Sequence, residues 1–213
     1  MNKTNNQKNI LSSGSCLLSS ASVKYSFVKR YLERWYSLQT ILAAYSTSVF
    51  LRNFLPIPAT SSLDLGAITP DFRLPDITNG REIKLSEYRG KQPLILAFTR
   101  IFTEKQYCPF CFPHIKDVNE KYDRFRERGI ELLMITSTDE KQSQIVVRDL
   151  GLRMPLLSDP SCNVFRAYST GQALGAPLPA QFVLDKQGRL LYKHLFSFLD
   201  HNASVEQMLA VLD

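Results

Sequence analysis

The sequence predicts an α/β sandwich, a mixed central sheet flanked by helices, behind an N-terminal amphipathic helical extension. Three observations carry this reading. From Leu63 onward, short apolar runs alternate with stretches of helical period. Near the C-terminus an Asp-Lys-Gln-Gly turn folds one run back on its predecessor, which sets an antiparallel pair beside strand–helix–strand units. The charge also divides the chain. Residues 1–60 hold seven basic residues against the single acid Glu33, whereas residues 61–213 hold 19 of each sign.

The segments follow in order. Residues 1–22 are rich in Asn and Ser without apolar periodicity and read as a disordered tail. In 23–50, Val28, Tyr31, Leu32, Trp35, Leu38, Leu42, Tyr45 and Val49 recur at steps of three and four, one face of a basic amphipathic helix. That helix packs on its own domain or a partner, lies on a membrane surface, or belongs to an organellar presequence. Pro56 and Pro58 break it, and 51–62 reads as a linker.

The domain proper is 63–213. Leu94 to Phe98 is a buried strand, and Pro109 to Arg128 a helix with Ile115, Val118, Tyr122 and Phe125 on one face, stopped by Gly129. Ile130 to Thr136 is a strand, and Lys141 to Leu150 a helix closed by Gly151. Pro155 to Ser158 is a short strand and Cys162 to Tyr168 a short helix. Phe182 to Leu184 and Arg189 to His194 pair across the turn at Asp185 to Gly188, and Val205 to Leu212 closes the chain as a helix.

Composition excludes several classes. The chain has 213 residues, 44% of them hydrophobic and 22% charged, which excludes a wholly disordered chain or a collagen-like fibre. Four cysteines are too few for a disulfide scaffold. No apolar run of about 18 residues is present to span a bilayer. The net charge of +6 sits entirely in residues 1–60, so it gives the domain no basic stripe and no nucleic-acid role.

The chemistry concentrates at Cys108-Pro109-Phe110-Cys111, between a strand and the following helix. A helix start presents unpaired N–H groups and a positive dipole end, which stabilise a thiolate at Cys108. Pro109 at the first helical position loses nothing, because its missing N–H has no partner there in any case. Cys111, one turn along, is near enough to close a disulfide with Cys108, so one sulfur attacks and the other resolves. Zinc would need more ligands than this pair. His114 supplies at most a third, and six residues of helix rotate it away from Cys108. Two inert thiols are the remaining alternative. Lys105 and His114 are candidates to tune the thiolate, Cys162 is a second redox thiol or a small buried residue, and Cys16 is a bystander.

Gly66 to Pro75, then Ile83 to Lys91, then a strand and the cysteine motif, resemble the thioredoxin-fold redoxins. The nearest branch is the alkyl hydroperoxide reductase/thiol-specific antioxidant (peroxiredoxin-like) family. The resemblance covers about Leu63 to Asp213. It implies a thioredoxin-like sandwich, and it places Pro179, within Leu178 to Arg189, as a cis-proline capping the site. The match to either subgroup is incomplete. Peroxiredoxins carry Thr three residues before the reactive cysteine, where this chain has Lys105. They carry a peroxide-binding Arg where this chain has Pro179, and Arg100 is the candidate replacement. Thioredoxins carry Trp before the first cysteine, where this chain has Tyr107.

The reading is a thiol-based oxidoreductase cycling Cys108 as nucleophile and Cys111 as resolving thiol, with no cofactor or metal. Its alternatives are a peroxiredoxin-type peroxidase and a non-catalytic redoxin-fold scaffold. The implied partners are a protein disulfide or a peroxide as substrate and an electron-donating dithiol reductant. Residues 23–50 are left for a peripheral membrane or partner contact. The expected location is cytoplasmic, and a chain starting near Ser61 is expected to fold and keep its thiol activity.

Overall fold

Residues 54–213 are described by the computed structural model. The tail and helix expected over 1–22 and 23–50 lie outside them. Arg73–Asp76 (β1) and Arg81–Lys84 (β2) form an antiparallel hairpin. Its turn is built by the Asp76 carboxylate, which accepts from the amides of Thr78 at 3.1 Å and Asn79 at 3.2 Å. A 3-10 turn, Leu85–Tyr88, leads to Leu94–Thr99 (β3), buried along its whole length. Ile101–Thr103 (β4) and Gln106–Tyr107 (β5) make a small hairpin before the helices Cys111–Glu120 (α1) and Tyr122–Arg126 (α2).

The second half runs Glu131–Thr136 (β6), Glu140–Leu150 (α3), Leu156–Ser158 (β7) and Asn163–Ala167 (α4). Gln172–Ala173 (β8) and Ala176–Pro177 (β9) form another short hairpin. Ala180–Leu184 (β10), Leu190–Leu195 (β11) and Val205–Ala210 (α5) complete the chain.

Seven strands form one sheet in the order β11-β10-β3-β6-β7-β1-β2. β3, β6 and β7 are parallel, and every other neighbour is antiparallel. The two parallel steps need crossovers, which α1–α2 and α3 supply. Side chains alternate across β3 and divide the core. Ile95 and Ala97 face one layer with Cys108, Cys111, Ile115, Val118, Phe125 and Met208. Leu94, Leu96 and Phe98 face the other with Phe165, Tyr168 and Phe182. The cysteine motif thus belongs to one side of the sheet.

Four expectations change. The helix expected from Pro109 to Arg128 is two helices, broken at Lys121 (φ −95°, ψ 10°). The Arg153 guanidinium takes the exposed end of α1 by donating to the carbonyls of Asn119 at 2.7 Å and Glu120 at 3.1 Å. The apolar face still holds, with Ile115, Val118, Tyr122 and Phe125 all buried. The stops at Gly129 and Gly151 are also as expected, both with positive φ.

The second change is at the linker. Ile57 to Ser61 is bonded along the domain. Ile57 exchanges backbone bonds with Gln172 at 2.9 and 2.8 Å, Thr60 N–H donates to Ser169, and Lys193 Nζ donates to the Ser61 carbonyl at 3.0 Å. Gly171, at φ +81°, leaves no room for a Cβ, which would fall 2.6 Å from the Ala59 nitrogen. Third, the hairpins β1–β2, β4–β5 and β8–β9 had no alternating apolar pattern to announce them. Fourth, Pro179 was expected in cis, yet no peptide bond among the described residues is cis. The trans form is the one an X–Pro bond ordinarily favours, by about 0.5–1 kcal/mol.

Candidate active site

β3 delivers the chain to Arg100, which is buried at 6% exposure. The β4–β5 hairpin makes a short excursion and returns to Cys108, whose N–H donates to the Arg100 carbonyl at 3.4 Å. The Cys108 carbonyl then starts the helix, accepting from Cys111 N–H at 3.0 Å and Phe112 N–H at 2.9 Å. Pro113 has no N–H to give to the Pro109 carbonyl, so the regular ladder begins only at Cys111. Pro109 and Phe110 form the intervening turn, and Phe110 already has helical angles (φ −85°, ψ −27°). The helix thus begins two residues later than the expected Pro109, and Cys108 precedes it by one turn.

The two thiols are unequal. Cys111 is fully buried and Cys108 is 4% exposed. The Cys111 thiol donates to the Cys108 sulfur, against the opposing effect of burial. The N–H groups of Phe110 and Cys111 and the Arg100 charge also favour the thiolate, and together they lower the Cys108 pKa from 9.0 to about 6. Cys111 moves in the opposite direction. Its donated bond, its burial and the neighbouring negative charge all hold its proton.

Arg100 is placed for this by carbonyls on β8–β9. Its Nη2 donates to Ala173 and Leu174, and its guanidinium lies 4.7 Å from the centre of the Phe102 ring. Lys105, expected to help the thiolate, lies in the exposed β4–β5 turn with its N–H on Thr103 Oγ1 at 3.3 Å. The charge that bears on Cys108 is that of Arg100. Pro179 is buried immediately before β10, whose Ala180 pairs with Phe98 near the end of β3.

The histidines and the third described cysteine have other settings. His114 Nε2 meets the Ala203 carbonyl at 3.1 Å, and burial pushes its pKa down to about 4. Among the described residues no group of three or more His, Cys, Asp or Glu is placed to hold a metal ion. His194 is buried, 3.7 Å from Asp200. Cys162 packs in the other core layer, across the sheet from Cys108, and precedes α4. Cys16 lies outside the described residues.

Sequence reasoning missed the chain after β11. Phe110 stacks on His201 with ring centres 4.0 Å apart, and Phe196 and Phe198 continue the aromatic cluster. Asn202 reaches back to the Phe110 carbonyl at 3.0 Å. These residues lie some ninety positions from the motif, and no local pattern joins them to it.

The chain is similar to known thiol-disulfide oxidoreductases and peroxiredoxins. A thiol-disulfide oxidoreductase ResA of Geobacillus kaustophilus is 30% identical over 163 residues, covering 76% of this chain and 85% of that protein. Peroxiredoxin tpx1 of Schizosaccharomyces pombe is 31% identical, over 71% of this chain and 81% of its own. The crystal structure of peroxidoxin BcpB from Mycobacterium tuberculosis superposes with a TM-score of 0.59 at 22% identity, covering 70% of this chain and 96% of that one. The fold is thioredoxin-like, a mixed sheet flanked by helices. The profile of the AhpC/TSA family matches residues 65–193, and the chain belongs to that family.

Proposed function

We propose that this protein is a thiol-based oxidoreductase that reduces a disulfide through Cys108 and Cys111. The observation that carries the reading is the inequality of the two sulfurs. Both sulfurs are buried, but the Cys108 thiolate is stabilised while the Cys111 proton is held.

The thiolate of Cys108 attacks one sulfur of the substrate disulfide. A Cys108–substrate disulfide forms and the other substrate sulfur leaves as a thiolate. The attack removes both the acceptor of the Cys111 hydrogen bond and the negative charge beside it. Two of the three causes that held the Cys111 proton disappear, and that proton passes to the departing thiolate. The Cys111 thiolate then attacks the Cys108 sulfur and expels the second substrate sulfur, leaving a Cys108–Cys111 disulfide. A dithiol reductant returns two electrons and two protons. The surface beside the thiol supports a bulky substrate, since Phe198 and Leu199 are 83% and 99% exposed next to the Phe110 cluster.

A second reading is peroxide reduction, favoured by the buried Arg100 charge on Cys108. There the thiolate attacks one peroxide oxygen, the other leaves as hydroxide or alkoxide, and Cys111 displaces water from the sulfenic acid. Rapid mixing of the reduced protein with hydrogen peroxide and, separately, with oxidised insulin distinguishes the two. Faster oxidation by insulin supports disulfide exchange, and faster oxidation by peroxide replaces it with the second reading. Failure of Cys108 and Cys111 to form an intramolecular disulfide at any accessible potential would sink both and leave the scaffold alternative. No helix among the described residues is long and apolar enough to cross a membrane. We assign any membrane or partner attachment to residues 23–50.

A further inference from the structure

A chain of amides runs from the sheet to the cysteine motif, and its direction is fixed by one backbone group. Ala203 N–H can only donate, and it donates to Gln181 Oε1 at 2.8 Å. The Gln181 amide nitrogen must then face Asn202, and it donates to Asn202 Oδ1 at 2.9 Å. The Asn202 amide nitrogen in turn faces the Phe110 carbonyl, at 3.0 Å. Gln181 is fully buried on β10, so the chain starts from a rigid element. The Phe110 carbonyl shares its peptide unit with the N–H of Cys111, which donates to the Cys108 carbonyl at 3.0 Å and also favours the Cys108 thiolate.

We propose that Asn202, oriented by Gln181, is a positioning residue for Cys108, holding and polarising the Phe110–Cys111 peptide so that its N–H serves the Cys108 sulfur. A donor on a carbonyl strengthens the N–H of the same peptide, because hydrogen bonds in series polarise one another. The same bond opposes rotation of that peptide when Cys108 changes from thiolate to disulfide. The inference rests on Cys108 being the reacting thiol. Its test reads the thiol itself, so it can fail while the proposed activity stands.

The test uses the full-length reduced protein and two variants, Asn202→Leu and Asn202→Ala. Leu keeps the branched shape of Asn without a donor, and Ala removes both. The other groups that act on the sulfur, Arg100, the Cys111 thiol and the Phe110 N–H, are unchanged, as is the His201 ring stacked on Phe110. Iodoacetamide modification of Cys108 is followed by peptide mass spectrometry from pH 4 to 10, with thermal unfolding to confirm the fold. Both variants should raise the midpoint by about half a unit, which is about threefold less thiolate well below the midpoint. A packing role would leave the Leu variant titrating as wild type while Ala shifts. That result, or an unshifted midpoint in both folded variants, overturns the proposal. If one variant does not fold, the other decides on the same criterion.

Discussion

Replacing Cys111 with Ala removes the main hydrogen-bond donor to the Cys108 thiolate and leaves the backbone donors and Arg100 in place. The drop from 9.0 to about 6 corresponds to about 4 kcal/mol of net preference for the thiolate. A hydrogen bond to a charged group contributes about 1.5–3 kcal/mol, and a thiol is a weak donor, so the low end applies. The Cys108 midpoint should therefore rise by about one to one and a half units. At pH 6.5 the thiolate fraction would fall about fivefold. Each thiolate would become more reactive, by about three- to fourfold for that shift, since nucleophilicity rises with pKa. The rate at a single pH would partly conceal the effect, whereas the full profile separates its two parts. Alkylation of Cys108 against pH, with the modified peptide identified by mass, should show a higher midpoint and a higher alkaline plateau. A midpoint left near that of the wild type would refute the assignment of Cys111 as the main donor to Cys108.

The same two sulfurs predict a signed pH dependence of stability for the reduced protein. The stabilisation from Cys108 is complete above 9.0 and is lost as pH falls towards about 6, while Cys111, held protonated in the fold, costs stability above 9.0. The melting temperature should rise from pH 6 towards 9 and fall beyond it, and Cys108→Ser should flatten the rise. His114, whose pKa is pushed down to about 4, lets the unfolded chain bind the extra proton as pH falls below 6.5. His114→Gln should reduce the acid-side loss between pH 6.5 and 4, measured by thermal unfolding. Gly171→Ala places a Cβ 2.6–2.8 Å from the backbone of Ile57, Pro58 and Ala59 at a φ of +81°. It should cost about 2–4 kcal/mol in denaturant unfolding and open the 57–61 segment to proteolysis. A chain starting near Ser61 forfeits the Ile57–Gln172 pair and should melt lower than one starting at Phe54.

Much of the site was local and therefore legible. Cys108 and Cys111 are three residues apart at the start of a helix, so their mutual reach and the donors around them follow from helix geometry alone. The buried strands β3, β6 and β10 were equally plain, because continuous apolar runs bounded by turns have few other uses in an α/β chain. The short hairpins β1–β2 and β8–β9 were not. They are held by Asp76 and by the chain at Ile57, and neither leaves an apolar period in the sequence.

The sequence by itself determined the α/β class and the spacing that puts Cys108 and Cys111 one turn apart beside a helix start, since both depend on residues close together in the chain. Tertiary structure alone decided which charge meets Cys108 and which amide meets Phe110. Arg100 reaches its place through carbonyls more than seventy residues away, and Asn202 through Gln181 on a neighbouring strand. Lys105, nearer in sequence, points to no such role because the hairpin turn carries it to the exposed surface. Thiolate stabilisation depends on distance and burial, and those are set by which strands lie side by side.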